Sequence, residues 1–191
     1  MIRPTEDLVR EHGDILAMIQ VVKEMVRRLE AGEPVDPDHI EKAIYFIRNY
    51  ADKYHHAKEE DLLFPAMHEA GIPKEGGPIG VMLAEHDEGS GYIATAAAAV
   101  ERYRQGDAGA GAEIAANLRN YAGLLEQHIN KENQVLYPIA DAHIDQTGQT
   151  ELRWIFDKVN SKPDMVAEHD TCKAILMELD PIYLGDPDEE Q

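Results

Sequence analysis

A single cysteine, Cys172, stands in 191 residues, which rules out an internal disulfide. A lone thiol fits a reducing, cytoplasmic compartment. No stretch is long and apolar enough to span a bilayer, and the longest run, residues 93–100, is mostly alanine. The first residues, Met-Ile-Arg-Pro-Thr-Glu-Asp, lack the apolar centre of a secretory signal. Basic residues are few: 18 Lys and Arg face 37 Asp and Glu, for a formal charge of −19. Nucleic acids and anionic membranes are polyanions, so that charge argues against both as partners. It favours metal cations instead. No segment alternates apolar and polar residues with period two, which excludes a sheet.

Helical periodicity fills the chain. Leu8, His12, Ile15, Ile19, Val22, Val26 and Leu29 step by four and three along one face. Ile40, Ile44, Ile47, Ala51, His55, Glu59 and Leu62 form a second such face. Ile79, Leu83, His86, Ser90, Ile93, Ala97 and Val100 form a third. Ile114, Leu118, Tyr121, Leu125, His128, Glu132, Val135 and Ile139 form a fourth. Glycine- and proline-containing breaks at 30–34, 71–78 and 106–111 separate them. Long amphipathic helices with short links predict an up-down antiparallel four-helix bundle over residues 1–145. Residues 146–185 predict short C-terminal helices packed on the bundle, with too few large apolar residues for a core of their own. An acidic tail, 186–191, is expected to be disordered.

The bundle carries an internal repeat. Residues 55–65 read HHAKEEDLLFP and residues 128–138 read HINKENQVLYP. Aligned on Pro65 and Pro138, His55 matches His128 and Glu59 matches Glu132. Each copy follows a Glu-His pair, Glu11-His12 or Glu85-His86. In His-x-x-x-Glu both side chains leave the same helix face one turn apart. Six ionisable residues, His12, His55, Glu59, His86, His128 and Glu132, thus occupy positions that the periodicity reserves for aliphatics. Two buried carboxylates repel each other and lose hydration. Two divalent cations compensate for both. Imidazole with carboxylate suits iron, manganese or zinc, and the absence of cysteine donors argues against a structural zinc knot.

The doubled His-x-x-x-Glu, followed by Leu-Phe-Pro or Leu-Tyr-Pro and preceded by Glu-His, resembles the hemerythrin-like HHE cation-binding family over roughly residues 5–143. The resemblance implies a four-helix bundle around two iron ions joined by an oxo or hydroxo bridge, with zinc or manganese as substitutes. It implies His12, His55, His86 and His128 as terminal ligands and Glu59 and Glu132 as bridges. The oxygen carriers of that family have five histidines, two of them as His-x-x-x-His on the third helix. Here Met82 and Ser90 stand four residues either side of His86. The four-His two-Glu set looks more like bacterial di-iron proteins linked to nitrosative and oxidative stress and to iron-cluster repair. The expected function is binding, sensing or reacting with oxygen, nitric oxide or peroxide, more as a small-ligand protein than as an enzyme. An iron-binding regulator or repair protein is the alternative. A ferritin-type oxidase is disfavoured because no histidine follows a glutamate at Glu-x-x-His spacing. A binuclear hydrolase needs a substrate cleft. Nothing in the sequence specifies a protein partner.

Other residues are expected outside the centre. His56 sits about 100° round an α-helix from His55, and Glu60 falls on a solvated face. His39, His68 and His143 lie near helix ends, and His169 has no His-x-x-x-Glu after it. Tyr50, Tyr92 and Tyr121 are near the register of the site, with core packing as their default role. Cys172 reads as a small core residue. Pro65 and Pro138 each remove a helical hydrogen bond and are expected to kink their helices just beyond the site.

Overall fold

The computed structural model describes residues 3–185, so the expected acidic tail at 186–191 lies outside the described residues. Among these it is all helical, with six helices and no strand. Helix α1 is Pro4–Glu30. Helix α2 runs over 37–69, α3 is Pro78–Arg104, and α4 runs over 108–143. Helices α5 (Gln146–Asn160) and α6 (Pro163–Leu184) follow. The first four form the antiparallel bundle. Helix α3 packs on α2 and α4, α4 packs on α1, and α6 lies against α1 and α2. No helix among the described residues is long and apolar enough to cross a membrane.

Local chemistry sets the helix ends. Asp36, Asp107 and Asp145 cap α2, α4 and α5, each accepting from a backbone N–H at 2.8–2.9 Å. At the other ends Gly32 (φ 72°) and Gly106 (φ 85°) adopt the left-handed conformation that lets the chain reverse. There Glu33 N–H reaches back to Arg28 C=O, and Asp107 N–H to Arg102 C=O.

The prolines do not break α2 or α4. Before each one the helix widens by one residue over Glu59–Leu63 and Glu132–Leu136. Phe64 N–H bonds to Glu59 C=O, and Tyr137 N–H to Glu132 C=O, an i→i−5 pattern. Such a turn separates the proline ring from the carbonyl it would otherwise strike. It also moves the buried face by one position. The α-helical register places Leu62 and Val135 inward, but Leu63 and Leu136 are the fully buried ones, and Val135 is 49% exposed. On α3 the buried face runs through Met82, Gly89 and Ala96 in place of the expected Leu83, Ser90 and Ala97. Gly89 packs there against the Tyr121 ring.

The core has two apolar clusters. The larger holds Ile15, Met18, Ile47, Ala51, Ile93, Leu125 and Ile129 among others. The smaller holds Leu8, Leu63, Phe64, Met67, Ile79, Met82, Leu136 and Phe156. On every bundle helix the expected metal-binding residues fall between the two. The centre is therefore a polar layer closed above and below by aliphatic packing.

The shifted register yields a test. Leu136→Ala should cost about 2–5 kcal/mol in urea unfolding, and Val135→Ala within about 0.5 kcal/mol. The reverse order would mean that α4 continues as a regular α-helix through residue 135.

Candidate metal centre

All six residues singled out from the repeat are buried and meet in this layer. His12 on α1 and His55 on α2 approach with their Nε2 atoms 3.0 Å apart. His86 on α3 and His128 on α4 repeat the contact, also at 3.0 Å. Each carboxylate spans the two pairs. Glu132 lies 3.1 Å from His12 Nε2 and 3.0 Å from His128 Nε2. Glu59 lies 3.5 Å from His86 Nε2 and 3.9 Å from His55 Nε2.

The outer nitrogens explain why the inner ones face each other. His55 Nδ1 is 2.9 Å from Glu11, and His128 Nδ1 is 2.9 Å from Glu85. His12 Nδ1 is 2.9 Å from Asn133 Oδ1, and His86 Nδ1 is 2.6 Å from Glu60. Every Nδ1 thus has an oxygen acceptor, which fixes the proton there and leaves a lone pair on every Nε2. Two lone pairs at 3.0 Å repel. In addition, Glu59 Oε2 and both carboxylate oxygens of Glu132 are buried with no hydrogen-bond partner. Buried orphan acceptors of this kind are strongly unfavourable unless a cation joins them. Four imidazole nitrogens and three orphan oxygens, with no sulfur, suit borderline divalent cations.

The donors sort into two groups. His12, His55 and Glu132 form one, and His56, Glu59, His86 and His128 form the other, each within 4.8 Å of mutual approach. Each group takes its carboxylate and a pair of imidazoles from opposite halves of the repeat. Neither half alone assembles either group.

Several residues behave differently from the expectation. His56 is buried in the second group, because the ten residues Ile47–His56 also run in the wider helical turn. That turn brings adjacent positions closer in angle than an α-helix does, so His55 and His56 both face inward. Glu60 keeps an exposed side chain, but its carboxylate reaches His86 Nδ1. Tyr137 was not singled out from sequence. Its hydroxyl donates to Glu59 Oε1 at 2.8 Å, and its ring stacks on His12. The three tyrosines near the register go elsewhere: Tyr50 bonds to Asp14, Tyr92 to Glu88, and Tyr121 packs on Gly89. His169 sits against Tyr50 and Tyr54. His68 and His143 are exposed, and half-buried His39 meets Tyr183. Cys172 is fully buried. The acceptors Glu11 and Glu85 were visible only as neighbours of His12 and His86. Each in fact serves the histidine of the next helix.

Burial governs the titration of the layer. It pushes the His55 imidazole well below the ordinary histidine value and His86 down to about 2. It pushes Glu59 well above 4.5, helped by the facing Glu132. Burial alone would raise Glu132 too, but the imidazoles of His12 and His128 bring it well below 4.5. Burial opposes charge on His128, yet Glu132 and Glu85 together raise it above 6.5. Glu59 and His128 therefore hold a proton more firmly than the free side chains do. Metals take the deprotonated forms, so protons held there oppose cation binding. Affinity should therefore rise with pH. Zn(II) calorimetry in buffers of different ionisation enthalpy should show net proton release, and zero release would contradict this protonation scheme.

A family model described as Hemerythrin HHE cation binding domain matches residues 3–140. Uncharacterized proteins of Mycobacterium tuberculosis and Mycobacterium bovis are each 28% identical to the chain over 133 residues, or 70% of this chain and 51% of theirs. The chain thus spans about half the length of the curated relatives it matches. No solved structure matches it. With the family model covering most of the chain, and buried His/Glu clusters within the matched residues, the chain belongs to the hemerythrin HHE cation-binding family.

Proposed function

We propose that the protein is a non-haem di-iron protein that binds, senses or reacts with oxygen, nitric oxide or peroxide. The observation that supports this most directly is the convergence of four imidazole lone pairs and three orphan carboxylate oxygens in a layer sealed by apolar side chains. His12, His55 and Glu132 would hold one iron, and His86, His128 and Glu59 the other. Glu132 reaches toward both groups and suits a bridging role. An iron pair supplies two electrons and open coordination positions when reduced.

The chain's own residues set what such a pair meets. Glu11, Glu85, Asn133 and Glu60 orient the imidazoles from behind. Tyr137 offers a hydroxyl proton beside Glu59. Leu8, Leu63, Phe64, Met82 and Leu136 close one end of the layer, which excludes water and bulky substrates. That wall favours small diatomic or peroxide ligands over a hydrolase substrate. Zinc or manganese fits the same donors. A second reading, an iron-responsive regulator acting through a partner, is favoured by Trp154 on α5 and Met177 on α6, which are exposed.

Protein purified from iron-replete cells should hold about two metal ions per chain, mostly iron, because the two donor groups make two positions. One tightly held zinc with no second ion would sink the proposal. Glu132→Ala should strip most of the metal and lower the melting temperature, while His68→Ala should change neither. Azide should shift the near-ultraviolet and visible absorption of the oxidised form. Oxygen should oxidise the reduced form without a stable adduct that vacuum can remove.

A further inference from the structure

The two halves of the repeat are duplicated but not equivalent. His56 aligns with Ile129, Glu60 with Asn133, and Phe64 with Tyr137. Only the first of these exchanges adds a nitrogen donor to the polar layer. One ring nitrogen of His56 lies within 4.8 Å of donor atoms on Glu59, His86 and His128. Its ring lies flat against that of His86, with centroids 3.8 Å apart and planes 16° apart.

A further observation gives this histidine its role. Each of the four histidines from the repeat has Nδ1 backed by an oxygen acceptor, which points Nε2 at the centre. His56 has a looser counterpart, an ion-pair contact of Nδ1 with Asp52 Oδ1 at 3.3 Å. An imidazole packed only as filler needs no carboxylate behind it, whereas a ligating one is oriented by one. Asp52 has no carboxylate counterpart in the second half, where Leu125 occupies the aligned position. The added donor and its orienting group therefore come together, on one half only.

We propose that His56 is a third imidazole of the His86–His128–Glu59 position, so that the centre holds its two cations unequally, the His56 side the more tightly. This rests on the reading of the layer as a two-cation centre. The opposite position keeps two imidazoles, with Ile129 where an equivalent donor would stand.

The test is anaerobic Fe(II) titration of the metal-free protein against a chromophoric chelator. The native chain should take up two ions in separate steps. His56→Ile, which copies the residue of the second half, should weaken the tighter step by tenfold or more and bring the two together. Asp52→Asn alters only a partly exposed carboxylate and should weaken the same step by a smaller factor, leaving the other unchanged. Circular dichroism separates these effects from misfolding. With iron-57, the native protein should show two distinct Mössbauer sites that converge in His56→Ile. Unchanged constants and spectra in both variants would overturn the inference while leaving the two-cation centre standing. A native chain that takes up no pair of ions would overturn that reading, and this inference with it.

Discussion

Two carboxylates buried between four imidazole lone pairs are the constraint around which this bundle is organised. Neither Glu59 nor Glu132 has solvent, and their free oxygens have no protein donor. Left alone, such groups would drive the core apart. With cations bound, the same repulsions would become attractions, and binding energy would become folding energy. The crossed arrangement strengthens that dependence. Because each donor group draws on both halves of the repeat, a cation held there would tie α1 and α2 to α3 and α4.

The widened turns link proline chemistry to the centre. A proline at 65 or 138 in a regular helix strikes the carbonyl four residues earlier. One added residue per turn avoids the clash, and the carbonyl that closes each turn belongs to Glu59 or Glu132 itself. The same change turns Leu63 and Leu136 inward beneath the site. Backbone geometry, carboxylate placement and apolar closure are thus consequences of a single local event that occurs twice.

Much of this was legible in the sequence. The four faces, the breaks between helices and the six His and Glu residues that meet in the buried layer all follow from period and repeat, because an ionisable residue on an aliphatic face is conspicuous. What sequence missed follows from the wide turns. An angle of about 100° per residue places His56 outside, and the same assumption turns Leu62 and Val135 inward. Tyr137 escaped notice because its partner in the repeat is Phe64, which suggests an aromatic packing position. Glu11 and Glu85 adjoin His12 and His86 in sequence, yet they orient His55 and His128 on the neighbouring helices. That exchange depends on how the helices pack, which no single helix's pattern contains.

The added helices treat the two halves unequally. Lys58 and Lys131 are equivalent in the repeat, and each pairs with the glutamate that orients a histidine. Lys131 has a side chain 39% exposed, so its charge stays partly hydrated. Lys58 is almost completely buried beneath α5, with Phe156 5.6 Å and Asn160 3.5 Å away. Its ammonium also lies 3.9 Å over the Tyr54 ring. A buried ammonium needs a counter-charge, and Glu11 is that charge. One carboxylate therefore has two duties: it neutralises the lysine that α5 covers, and it holds His55 in the orientation that a cation requires. Any rearrangement of α5 that hydrates Lys58 changes what Glu11 must neutralise, and so reaches His55 through a single intervening group. On the other half Lys131 reaches solvent and Glu85 is only partly buried. The C-terminal helices are thereby joined to the centre through Glu11, even though no residue of α5 or α6 belongs to either donor group.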